Sequence, residues 1–121
     1  MSDITLQSKL RELKTELREM KYSQAWNESA VLSGDPVMTL RLLHFFFLDF
    51  NPNLKMWLVE NGYTMQTASD LEFVQQLYKV LQEKYSYRPK ITITCFFLPK
   101  YGLQKINLCI DIAKMFRNRI K

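Results

Sequence analysis

Few side chains in this 121-residue sequence could carry covalent or metal chemistry. There is one histidine, His44, and there are two cysteines, Cys95 and Cys109. The cysteines form no CxxC pair, and with a single histidine the ligand count for zinc falls short. Both thiols are expected to be buried in a reducing compartment. A phosphate-cradling loop needs clustered glycines, yet the three present, Gly34, Gly62 and Gly102, are far apart. No nucleophile signature accompanies His44, so acyl transfer has no apparatus. The carboxylates fall on positions that read as helix faces and caps. No catalytic residue, metal or cofactor is expected, and the chain does not read as an enzyme.

What the sequence offers instead is uneven charge. The net charge is +5, but residues 1–78 hold seven Lys/Arg against ten Asp/Glu, whereas residues 79–121 hold ten against two. The excess comes from Lys79, Lys84, Arg88, Lys90, Lys100, Lys105, Lys114, Arg117, Arg119 and Lys121. Clustered like charge attracts polyanions and speeds their association. An acidic protein surface, nucleic acid and anionic lipid all fit that description. Nucleic acid is not expected, because no DNA- or RNA-binding motif accompanies the charge. Trp26 and Trp57 sit in apolar helical contexts and read as core rather than as stacking platforms. Lipid binding wants a tighter polybasic cluster beside an apolar face.

The elements that must position these residues read as helices. Hydrophobic residues make up 47% of the chain and charged residues 24%, which suits one core needing no staples. Leu6, Leu10, Leu13, Leu17 and Met20 recur by threes and fours over residues 3–21, the narrow stripe of an amphipathic helix. The same stripe fits a coiled-coil seam for two heptads, and packing on the chain's own core is preferred. A second helix is expected around Ser23–Leu32, capped by Ser23, with Trp26, Ala30 and Val31 inward.

The densest apolar run, "SGDPVMTLRLLHFFFLDFNPN", asks whether it enters a membrane. Only seven residues separate Arg41 from Asp49, and a spanning helix needs about 18–20 apolar residues. It is not a membrane segment. Asp35–Pro36 and Asn51–Pro52 each pair an N-cap acceptor with a proline suited to the first helical position. One helix is therefore expected from Pro36 to about Phe50, and another from Pro52 to Asn61 with Gly62 as a left-handed cap. Leu40, Leu43, Phe47 and Phe50 form one stripe, and Met38, Leu42, Phe45 and Phe46 cover much of the remainder. A helix apolar nearly all round belongs at the centre of a bundle.

Ser69–Asp70–Leu71–Glu72 reads as a capping box opening a helix through Tyr85, with Leu71, Val74, Leu77, Tyr78 and Leu81 inward. "KITITCFFL" favours a strand by propensity, but a lone strand has no partner, so a short helix capped by Thr92 or Thr94 is expected. A last helix runs from Gln104 to the end, with Ile106, Cys109, Ile110, Ala113, Phe116 and Ile120 inward. The fold class is all-α: a single bundle of about six helices over residues 1–121, with a buried central helix near 36–50. "MSDITLQSKL" lacks the apolar stretch of a signal peptide, so cytosolic residence is expected.

An ordered series of landmarks runs through the chain. It comprises Gly34–Asp35–Pro36, Phe50–Asn51–Pro52, Ser69–Asp70–Leu71 with Phe73, Tyr85, Tyr87, Pro89, Phe96, Gly102, Lys105–Ile106, Cys109, Asp111 and Ile112. In this order and spacing the chain resembles the N-terminal domain of the family of the forty-four-kilodalton centrosomal protein. That resemblance implies a calponin-homology-like helical domain, a centriolar location, tubulin or microtubule binding, and a role in building the centriole. Cys95 departs from the pattern, standing where a glutamine would be expected.

Charge and resemblance together lead to one expectation. A non-enzymatic module docks on acidic tubulin or centriolar proteins through Lys79, Lys84, Arg88, Lys90, Lys100, Lys114, Arg117 and Lys121. Lys114, Arg117 and Lys121 fall at i, i+3 and i+7, hence on one helix face. The alternative is a scaffold without microtubule affinity that makes its contact through the stripe Leu6, Leu10, Leu13 and Leu17 or through an exposed aromatic. A monomer is preferred to a dimer.

Overall fold

Local capping chemistry sets most of the helix boundaries in the computed structural model, which describes residues 2–67 and 69–119. Asp35 accepts a hydrogen bond from the Val37 amide at 3.0 Å, and Asn51 accepts one from Asn53 at 2.9 Å. Ser69 takes the Glu72 amide at 3.2 Å while donating its hydroxyl to the Glu72 carboxylate at 3.1 Å. Thr92 caps the short helix by accepting from Cys95 at 3.1 Å. Each satisfies an amide that the first turn would otherwise leave without a partner.

Seven α-helices result among the described residues, where about six were expected. They are α1 Ser2–Glu19, α2 Glu28–Ser33, α3 Pro36–His44, α4 Pro52–Glu60, α5 Asp70–Tyr85, α6 Ile93–Phe96 and α7 Gly102–Arg119. The fold is all-helical, and no strand occurs among the described residues. Left-handed residues end four of the helices: Lys21 after α1, Gly34 after α2, Gly62 after α4 and Ser86 after α5. At each, the next amide reaches back to the final turn, from Tyr22 to Leu17, Asp35 to Ala30, Tyr63 to Leu58 and Tyr87 to Leu81.

α1 lies along α7, and α2, α3 and the segment after α3 also pack on α7. Leu10, Leu13, Leu17 and Met20 are buried, so the α1 stripe is consumed within the chain's own core. The central run is buried as expected, with Met38, Leu40, Leu42, Leu43 and Phe45–Phe47 all inside. The expected single helix from Pro36 to Phe50 is instead α-helical to His44 and π-helical over Phe45–Asp49. There the Phe50 amide bonds to the Phe45 carbonyl at 2.8 Å, one residue further back than α-geometry allows. The widened turn presents three consecutive rings to the core. Phe45 meets Tyr22 edge-on at 4.9 Å, and Phe47 meets Phe116 edge-on at 4.9 Å.

Four other expectations are corrected. Asn27, not Ser23, caps α2, accepting from Ala30 at 3.0 Å. Leu71 is 49% exposed rather than inward, because it lies in the first turn of α5, whose buried side begins at Phe73. α7 begins at Gly102 rather than Gln104. Trp26 and Trp57 are only half-buried. Ile120 lies outside the described residues.

Candidate functional site

The basic half of the chain divides into three groups once folded. Lys79, near the middle of α5, and Arg88, Lys90 and Lys100, on the connections around α6, are exposed. None of the four has an ion-pair partner among the described residues. Lys84 is half-buried, with its ammonium 3.8 Å from the centre of the Trp57 ring. Held this way, it gains a cation–π contact.

The second group is tied to α1. Lys114 pairs with Glu12 at 2.6 Å and Arg117 with Glu16 at 2.5 Å. The Lys114 hydrogen bond holds the Glu12 carboxyl below its usual range, and Glu12 raises Lys114 in return. The shared face read from their spacing is real, but it turns toward acidic residues of the same chain. Lys121 lies outside the described residues.

The third group is Lys105, which is 1% exposed. Its ammonium donates to the Gly34 carbonyl at 2.5 Å and the Leu98 carbonyl at 2.6 Å. Desolvation pushes its pKa down. It is a structural stitch between the α2–α3 junction and the loop before α7. One signal in the sequence pointed to this: Lys105 falls on the same α7 stripe as Cys109, Ile112 and Phe116, all buried.

The remaining chemistry-bearing groups are packed. His44 stacks on Phe73 with centroids 3.9 Å apart, and burial lowers its pKa. Cys109 is buried, Cys95 is half-buried, and both are free thiols. Among the described residues no cluster of His, Cys, Asp and Glu could hold a metal ion. None of the described helices is long and apolar enough to cross a membrane.

Buried acids make the fold alkali-sensitive. Desolvation raises the Cys109 thiol from 9.0 to about 12 and the Tyr78 phenol from 10.0 to about 12. Burial and its hydrogen bond to Asp111 raise Tyr87 as well. The unfolded chain releases these protons first, so stability is fully present below about pH 9 and falls as pH climbs toward about 12. Lys105 works in the opposite sense up to its ordinary 10.5, and so offsets part of the loss. Denaturant midpoints measured from about pH 8 to about pH 11 should drop from near pH 9, and in Cys109→Ala only from near pH 10. A flat profile through pH 11 would contradict this burial.

An aromatic hollow lies between α4, α5 and α7, occupies about 300 Å³, and is bounded by Asn51, Asn53, Leu54, Trp57, Lys84, Tyr85 and Phe116. Sequence reasoning missed it, because it had assigned Trp57 to the core. Beside it, Tyr63 stacks on Trp57 at 5.8 Å and donates its hydroxyl to Glu83 at 2.7 Å.

Comparison with known proteins adds a family to this geometry. The family model described as "Centrosomal spindle body, CEP44" matches residues 5–121. Centrosomal protein of 44 kDa from Xenopus laevis is 28% identical over 104 residues, covering 86% of this chain and 27% of that protein. The Homo sapiens protein of the same name is 26% identical over 116 residues, covering 96% of this chain and 30% of that protein. The chain thus spans less than a third of the length of these curated relatives.

Proposed function

The chain belongs to the CEP44 family of centrosomal spindle body proteins, and on that premise we propose a non-enzymatic, centriole-associated module that docks on microtubules. Its place is the cytoplasmic cytoskeleton at the centrosome. The observation that carries the reading is the concentration of unpaired positive charge after residue 78. Lys79, Arg88, Lys90 and Lys100 project from α5 and from the connections around α6, free of ion pairs among the described residues. Lys84 adds a fifth cation beside Trp57. Acidic tubulin tails are the matching surface. Lys114 and Arg117 serve first to hold α1 to α7 and contribute less to docking.

Contacts between exposed charges are screened beyond about 8 Å at physiological salt, so binding weakens as salt rises. The test is co-sedimentation with microtubules at low and physiological salt, beside microtubules stripped of their acidic tails. Replacing Lys79, Arg88, Lys90 and Lys100 together by glutamate should weaken binding at least about tenfold, since opposed potentials govern association. Replacing Lys114 and Arg117 by glutamine should change it about threefold or less, as an internally paired charge has little left to offer. Undiminished binding by the four-residue variant would sink the assigned surface. No binding of the native chain at either salt would favour a scaffold that holds a centriolar protein instead.

A further inference from the structure

The hollow between α4, α5 and α7 has the features of a seat for one side chain of a partner. Its walls are apolar and aromatic: Leu54, Trp57, Tyr85 and Phe116. Its edge is polar, with the Asn51 and Asn53 side chains and the Lys84 ammonium. Asn51 Oδ1 is spent on the Asn53 amide, which fixes that edge to the start of α4. Among the described residues no carboxylate lines the hollow. Lys84 sits on the Trp57 face without an ion pair among the described residues, and the neighbouring Glu83 is engaged by the Tyr63 hydroxyl. A cation poised over an aromatic wall, with no counter-charge among the described residues of the lining, selects a ligand that brings its own carboxylate and an apolar group.

We infer that this hollow seats a single aromatic or aliphatic side chain of an acidic protein segment, with a carboxylate of that segment beside it pairing with Lys84. The inference rests on the reading above that an acidic protein surface is the partner, and it names the point of anchorage. Loose electrostatic attraction alone would treat all acidic segments alike. An anchoring pocket adds selectivity, because burying one large apolar side chain separates ligands by about tenfold or more.

The test uses a synthetic glutamate-rich peptide with one phenylalanine, and the same peptide with serine in its place. Trp26→Phe leaves Trp57 as the only tryptophan, so its fluorescence reports occupancy of the hollow. The phenylalanine peptide should bind about tenfold or more tightly than the serine peptide and shift the Trp57 emission. Lys84→Met keeps an apolar stem beside the indole and removes the charge. It should cost roughly threefold to tenfold in affinity and flatten the salt dependence. Equal affinity for the two peptides, or no Trp57 response, would overturn the seat, as would failure of the phenylalanine peptide to bind. Microtubule co-sedimentation of the same Lys84→Met chain separates the two readings. If microtubule binding persists where peptide selectivity is absent, the seat falls and the docking surface stands. If selectivity is present where microtubule binding is not, the seat stands for another acidic partner.

Discussion

Gly34→Ala is expected to lower the free energy of unfolding by about 2–5 kcal/mol, from two independent costs. Gly34 has φ +86°, where a Cβ crowds its own backbone, at about 1–2 kcal/mol. That Cβ would also be driven into the Lys100 carbonyl oxygen, at 2.3 Å, and against the Gly102 amide, at 2.9 Å. Overpacking of this kind costs about 1–3 kcal/mol. Two other glycines isolate the parts. Gly62 has φ +83° but open space where its Cβ would stand, so Gly62→Ala should cost only the backbone strain, about 1–2 kcal/mol. Gly102 lies outside the positive-φ region yet presses against the Leu32 carbonyl, so its alanine variant should show the steric part alone. Urea midpoints at constant slope would measure all three. If Gly34→Ala and Gly62→Ala cost the same, the loop before α7 yields freely and the stitch is not tight. The matter bears on function, because the Lys105 ammonium holds the Gly34 carbonyl and the Leu98 carbonyl together. That grip fixes the backbone from which Lys100 projects, and Lys100 is one of the cations proposed to dock.

The parts of this fold legible in the sequence are those decided within a turn or two of chain. Asp35 before Pro36, Asn51 before Pro52, Ser69 with Glu72, and Thr92 all act on amides two or three residues away, so their types and spacing suffice. The periodic burial of α1, of the central run and of α7 followed for the same reason. What stayed hidden depends on partners distant in the chain. Glu12 meets Lys114 across 102 positions and Glu16 meets Arg117 across 101, and Lys105 reaches Gly34 across 71. Net charge counts all three cations as surface until the fold shows two of them paired and one buried. Trp57 was misplaced because a helical pattern gives a stripe, not the position of the stripe's edge. The π-turn had no local signature; it answers the packing demand of three adjacent phenylalanines.

Phe47→Ala should cost about 3–5 kcal/mol, a large fraction of the roughly 5–15 kcal/mol that stabilises a typical domain. Phe47 has no exposed surface, so its removal loses the transfer energy of a ring and leaves a cavity in a close-packed core. It also loses the edge contact with Phe116, worth about 0.5–1.5 kcal/mol beyond burial. Phe47→Leu keeps much of the volume and should cost less, about 1–2 kcal/mol, while still removing that edge contact. The pair therefore separates filling the core from orienting Phe116, which also walls the hollow beside Trp57. In Phe47→Leu the fold should hold, with cooperative unfolding at a lower midpoint, while the phenylalanine-over-serine preference for the acidic peptide shrinks. A preference unchanged in that variant would mean that Phe116 is positioned without Phe47, by Tyr85 at 5.4 Å and the rest of α7. Loss of less than about 1 kcal/mol in Phe47→Ala would mean that the π-turn can close over the gap, and that the central helix is less tightly packed than its burial implies.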